Sequence, residues 1–123
     1  MEYYKGKVLA NIAVATHNRF TAAWHSKTKS VKELGAEKWA SAFHVWRMDW
    51  TEKEISLFMD NELMLRVDMD KLYNKNGSGT HPFKQPHYML LDLAMGGLNG
   101  GDLRDTRFPN RFEIDYVRVY QKI

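Results

Sequence analysis

His87-Tyr88-Met89-Leu90-Leu91-Asp92-Leu93-Ala94-Met95-Gly96-Gly97 is the stretch whose reading decides the fold. The run through Met95 is apolar on both parities except at Asp92, and Pro86 and a glycine pair bound it. A two-sided apolar run with such limits predicts a strand in the middle of a sheet, covered on both faces. A carboxylate at its centre is costly to desolvate unless it is paired or faces a wet groove. By parity Tyr88, Leu90, Asp92 and Ala94 share a face, so the run reads as the floor of a cleft.

Working outward, the same pattern recurs. Residues 8–16 are small and β-branched with Asn11 as the polar interruption, and Gly6 marks a turn between them and a short opening strand. A further strand is predicted over 19–25, with Phe20, Ala22 and Trp24 on one face. Ser30-Val31-Lys32-Glu33 has capping-box spacing and predicts a short helix or helical turn cut by Gly35. Residues 43–50 alternate, His44, Trp46, Met48 and Trp50 against Phe43, Val45, Arg47 and Asp49. Two strands, 54–59 and 62–67, flank Asp60-Asn61, residue types that tolerate the positive φ of a tight hairpin. Polar residues 68–79 read as a surface loop, and 81–86 as an extended lead-in, because each proline pushes its predecessor out of the helical region. Residues 112–121 close the chain as an alternating strand. The pattern is all-β, an antiparallel sandwich in one domain.

Composition narrows the function classes. The 123 residues suffice for one core, and the net charge of +3 comes from 18 basic and 15 acidic residues that are interspersed. No Lys/Arg stripe interleaves with exposed aromatics, so a nucleic-acid partner is not predicted. Cysteine is absent, which removes disulfides and thiolate chemistry. No apolar run reaches the roughly 18 residues of a membrane span, and the first residues carry no signal-peptide pattern. The five histidines lack the spacing of a zinc site. Gly96-Gly97 and Gly100-Gly101 lack the Lys-Ser/Thr of a phosphate loop.

Several stretches, taken in order, resemble a family. Phe43-His44-Val45-Trp46-Arg47-Met48-Asp49-Trp50, Asp60-Asn61-Glu62-Leu63, the run 86–97 and Ile114-Asp115-Tyr116-Val117-Arg118-Val119-Tyr120 look like the C-terminal half of glycoside hydrolase family 16, which includes laminarinases, lichenases and agarases. The resemblance covers essentially the whole chain. It implies a concanavalin A-like jelly roll, incomplete here, of which residues 1–123 are the C-terminal portion. It also implies a retaining, endo-acting hydrolase of β-linked glucan or galactan.

The family's catalytic motif is Glu-x-Asp-x-Glu, or a bulged form with one more residue before the last Glu. Met1-Glu2-Tyr3-Tyr4 matches the end of the bulged form, so the resemblance makes Glu2 the general acid/base and places the nucleophile and helper Asp before residue 1. Retaining hydrolysis needs two carboxyl groups about 5–5.5 Å apart, and Glu2 alone has no partner to trap the glycosyl group. Other than this, Glu2 reads as an exposed acid beside a methionine.

The remaining candidates are each open to two readings. Asp92 either bonds a sugar hydroxyl or the catalytic carboxylates, or is a buried acid satisfied by Arg or Tyr. Asn11 either faces the same cleft or satisfies a backbone group. Trp24 either stacks on a pyranose face or belongs to the core. Tyr3 and Tyr4 follow the acid, and Tyr3 is taken as the substrate-binding candidate. Asp115 matches a family position that helps hold a structural calcium, which wants several oxygens, or is a solvated acid in an alternating strand. No cofactor is required on this reading.

Two functions remain in view: a family 16 hydrolase of which this is a portion, and a non-catalytic carbohydrate-binding remnant or truncated product. The predicted partner is a polysaccharide, with no nucleic acid and no membrane, and self-association through exposed strand edges is expected. The resemblance implies a secreted or periplasmic location.

Overall fold

The computed structural model describes residues 1–34, 39–97 and 101–122. It divides into two compact units, Met1–Met89 and Leu90–Ile123. In the first, six strands form two three-stranded antiparallel sheets: β1 (Glu2–Tyr4), β2 (Lys7–Ala15) and β3 (Ala22–Ser30), then β4 (Trp46–Trp50), β5 (Glu54–Met59) and β6 (Glu62–Asp68), each sheet in sequence order. Single turns of 3-10 helix lie at Trp39–Ser41, Met69–Lys71 and Pro82–Lys84. No helix among the described residues is long and apolar enough to cross a membrane.

Turn chemistry sets both hairpin registers. Lys5 and Gly6 have φ of 46° and 72°, and Asp60 and Asn61 have φ of 47° and 68°. Two successive positive φ values make the turn whose twist matches its strands, so Tyr4 faces Lys7 and Met59 faces Glu62. Asp60 is tied further: its carboxylate accepts from the Val45 N–H at 2.9 Å and contacts His44 Nδ1 at 2.6 Å. A register shift at Leu57/Phe58 gives β6 an extra residue and lets Met64 point inward.

The sheets pack through one shared cluster. Val8, Ala10, Ile12 and Val14 of β2 meet Ile55, Leu57 and Met59 of β5, with Met64, Val67, Met69, Leu72 and Trp39 around them. Strict alternation on β2 places every second side chain in this layer. Fully burying an aliphatic side chain of this size stabilises by about 1.5–3 kcal/mol. On the far side of the second sheet the neighbours are polar: Arg66 Nε donates to Ser56 Oγ at 3.1 Å and pairs with Glu54 at 3.2 Å, and Arg47 lies 3.9 Å over the Phe58 ring.

Two sequence-based expectations shift in the first unit, and a third holds. The strand predicted over 19–25 runs instead over Ala22–Ser30, because Phe20 takes φ of 62° in the turn and β2 carries a nine-residue register through the polar stretch. The strand predicted from 43 starts at Trp46, since His44 stacks on Trp39 at 3.9 Å and is held by Asp60 and the Trp39 carbonyl. The capping box at Ser30 forms: Ser30 N–H donates to Glu33 at 2.6 Å and Glu33 N–H to Ser30 Oγ at 3.3 Å. It closes turns rather than a helix, and the stop expected at Gly35 lies outside the described residues.

The larger correction concerns 87–95 and 112–121. Neither is a strand in the structure, and Tyr88, Leu90, Val119 and Tyr120 are exposed. An apolar run becomes a central strand only when strands pair on both its edges and layers cover both its faces, and the described residues supply no such ladder. The second unit is held locally instead: Arg104 bonds Asp102 through its backbone N–H at 3.0 Å and Nε at 2.7 Å, and Thr106 N–H donates to the Leu103 carbonyl. Those bonds hold the Asp102 carboxyl below its ordinary pKa. Gly96, at φ of 76°, lies so close to the Leu103 side chain that a Cβ would meet it at 3.0 Å. The glycine loop's centre, 98–100, lies outside the described residues.

Candidate functional site

Register decides which side chains share the outer face of the first sheet. Glu2 pairs with Leu9 and Leu9 with Thr28; Asn11 pairs with Ser26, and Ala13 with Trp24. Cross-strand partners point the same way, so Glu2, Asn11 and Trp24 lie on one face, opposite the buried Val8–Ile12 layer. Tyr4 belongs to this face as well. Among the described residues of that face, Glu2 is the one carboxylate.

The contacts give the face its chemistry. Asn11 Nδ2 donates to Glu2 Oε1 at 3.0 Å, which fixes the carboxylate by one oxygen and leaves the other open. Trp24 is 64% exposed, a flat apolar surface in water two residues along β2 from Asn11's row. Ser26 and Thr28 add hydroxyls between Trp24 and Glu2. Such a face offers an acid, an amide, hydroxyls and an aromatic plate, the groups that bind a pyranose by hydrogen bonds and stacking.

Tyr3 departs from its expected position. It pairs with Val8, on the inner side, and its ring lies 5.1 Å from that of Trp39. The tyrosine on the acid's face is Tyr4, as the two-residue period of a strand requires. Asp92 and Asp115 lie in the second unit and both are exposed. No group of three or more His, Cys, Asp or Glu side chains among the described residues is arranged to hold a metal ion.

Two surface hollows lie beside this face rather than on it. One, of about 320 Å³, is formed by the 15–21 turn and Asn76. The other, of about 390 Å³, has Trp24 and His25 on one side and Asp70, Lys71, Tyr73 and Lys75 on the other. Neither includes Glu2. The sequence reading missed Tyr73, Lys71 and Lys75; the signal that could have found them is the return of the 68–80 loop to β2, where Lys75 N–H donates to the Ala15 carbonyl at 2.8 Å.

Comparison with known proteins identifies the family of the chain. The profile of the family described as Glycosyl hydrolases family 16 matches residues 5–118. The chain belongs to this family. Glu2 precedes the matched residues. A β-glucanase of Rhodothermus marinus is 37% identical over 82 residues, covering 64% of this chain and 29% of the relative. An endo-1,3-1,4-β-glycanase of Rhizobium meliloti is 32% identical over 112 residues, 90% of this chain and 21% of the relative. A β-1,3-glucan-binding protein of Penaeus monodon is 32% identical over 87 residues, 60% of this chain and 24% of the relative. The chain thus spans less than a third of the length of each of these relatives. No solved structure gives a significant match.

Proposed function

We propose that the outer face of β1, β2 and β3 is one wall of a β-glucan-binding cleft, and that Glu2 serves there as the acid/base of retaining hydrolysis. The observation that carries this reading is the shared face of Glu2, Asn11 and Trp24 within a family 16 chain. In the complete jelly roll this face is concave and the polysaccharide lies across the strands. Trp24 stacks on a sugar ring, Asn11 orients the Glu2 carboxyl, and the free oxygen of Glu2 protonates the departing glycosidic oxygen. The same carboxylate then takes a proton from the water that releases the glycosyl group.

That cycle needs a nucleophilic carboxylate about 5–5.5 Å from Glu2. None shares the described face, so a polypeptide of residues 1–123 by itself is expected to bind glucan without turning it over. On this reading the protein works where its polysaccharide lies, in a secreted or periplasmic setting. The same reading gives Asp92 a hydrogen bond to substrate and Asp115 a place among the ligands of a structural calcium.

A second reading, a non-catalytic glucan binder, is favoured by the likeness to the Penaeus β-1,3-glucan-binding protein. Reducing-sugar release from β-1,3-glucan and mixed-linkage β-glucan separates the two. Residues 1–123 joined to the preceding part of a family 16 domain should hydrolyse one of them, with Glu2→Gln lowering kcat by about 100-fold or more. Hydrolysis that survives Glu2→Gln would remove Glu2 from the chemistry, and binding without hydrolysis in the joined protein would favour the binder.

A further inference from the structure

The outer face of the first sheet is basic at its hairpin end. Lys7 follows the Lys5-Gly6 turn and pairs with Tyr4 on one side and Ser30 on the other, so all three share the face of Glu2. Alternation fixes the side: Val8 is buried in the inner layer, and Lys7 and Asn11 have the opposite parity. Lys5 reaches the same row from the turn, its Nζ 5.0 Å from the centre of the Tyr4 ring. Both lysines are exposed, and neither joins an ion pair among the described residues. Glu33, at the Ser30 turn, is held by the Ser30 N–H, and the lysines that act on it are Lys29 and Lys27. Glu2 is bonded by Asn11 from the side away from the turn. Lys5 also has φ of 46°, where a two-residue turn of this kind favours Asn, Asp or Gly. Backbone positions so rarely taken by a long side chain cluster where a ligand is held.

From this geometry we infer that Lys5, Tyr4 and Lys7 form an anion subsite beside Glu2, and that the polysaccharide taken by this face carries an acidic group, a carboxylate or a sulfate ester. The inference deepens the reading of the face as a polysaccharide wall and rests on it, but it does not need Glu2 to be the catalytic acid. With the polysaccharide across the strands, the substituents of the sugar over Glu2 point along them, toward the turn or toward Trp24. The Lys7 row lies two residues from the Glu2 row, about 7 Å, a gap that an exocyclic group and a lysine stem close from opposite sides. Two ammonium groups, each with three donors, suit the several oxygens of a carboxylate or sulfate ester. The Tyr4 ring between them gives the sugar that bears it an apolar edge to lie against. An uncharged glucan would engage Trp24 and Asn11 and leave both ammonium groups in water.

The test measures the affinity of residues 1–123 for four polymers: β-1,3-glucan, the same glucan carboxymethylated, the same glucan sulfated, and inorganic polyphosphate. One of the acidic glucans should bind about tenfold more tightly than the neutral one at low salt, and the tighter of the two names the acidic group. Raising the salt should shrink that advantage. Lys7→Gln combined with Lys5→Asn, which suits the turn, should abolish it while leaving the neutral affinity within twofold. Lys53→Gln removes the same charge from the β4–β5 turn of the second sheet and should leave the advantage intact. Acidic glucans that bind no more tightly than the neutral one would overturn the inference. So would an advantage that survives the double variant or falls equally with Lys53→Gln, and so would polyphosphate binding as tight as the acidic glucan. Binding of every glucan, neutral or acidic, that ignores Trp24→Ala would instead overturn the reading of the face as a polysaccharide wall.

Discussion

The β3/β6 margin and the β1/β4 margin are built from the same alternating strands, and only the first is closed. Toward the closed side, Val67 of β6 is buried with Val8, Ile12 and Ile55 of the central strands, all at most 6% exposed, and a Lys–Glu pair spans the sheets. At the open side, the tryptophans and methionine of β4 have the right parity for the core and lack a layer above them. Parity assigns a side chain to a face, and a second layer decides whether that face is dry. The difference therefore lies in the cover over each face among the described residues of the first unit, not in the pattern of the strands.

Substitution should break that comparison most clearly at paired positions. Ile55→Ala, in the closed layer, should cost about 2–5 kcal/mol in chemical denaturation. Met48→Ala, two strand positions away on the same face, should cost about 1 kcal/mol or less. Equal costs would mean the open margin is not open. The next effect is at the seam: Asp60→Ala removes the acceptor of the Val45 N–H and the His44 contact and leaves a non-glycine at φ of 47°, costing about 1–3 kcal/mol. Its readout is the melting transition together with loss of exchange protection at the Val45 amide.

Smaller still is the cross-sheet ion pair. Lys29→Met should cost about 1 kcal/mol or less and lose even that in high salt, because both partners are partly solvated. The smallest effect is a pH dependence at the Ser30 turn. Hydrogen bonds from the Ser30 backbone N–H and hydroxyl hold the Glu33 carboxyl below its ordinary value. A lowered folded-state pKa stabilises above the unfolded value and is lost as pH falls through the folded one. Glu33→Gln should flatten that part of the acid limb, and NMR titration of the Glu33 side chain should give a pKa below that of an unfolded reference peptide.

What the sequence made legible was whatever is set locally. The β5–β6 hairpin could be read from Asp60-Asn61 and its flanking alternation, and β2 from its β-branched run, because turn chemistry and period act within a few residues. The start of β4 was hidden, since His44 is pulled from the strand by Trp39 and Asp60, partners 5 and 16 residues away. The runs at 87–95 and 112–121 carry strand periodicity and form none, because a ladder depends on neighbours that no local pattern encodes. At the candidate site, Glu2 was located through the family motif and Asn11 by parity, and parity alone would have preferred Tyr4 to Tyr3. That Trp24 joins them follows from the nine-residue β2–β3 register, which depends on Asn18, Arg19 and Phe20 completing the turn.

The Lys5-Gly6 turn has a consequence for how the outer face of the first sheet could evolve. Its two residues alone determine which side of the sheet each β1 residue occupies, so inserting or deleting one residue between Tyr4 and Lys7 would rotate the strand by half its period. The carboxylate would then be carried into the oily interlayer beside Trp39 and a phenol brought out in its place. Variation in length is therefore open to β3 and its loops, while the spacing of this small hairpin is closed to change.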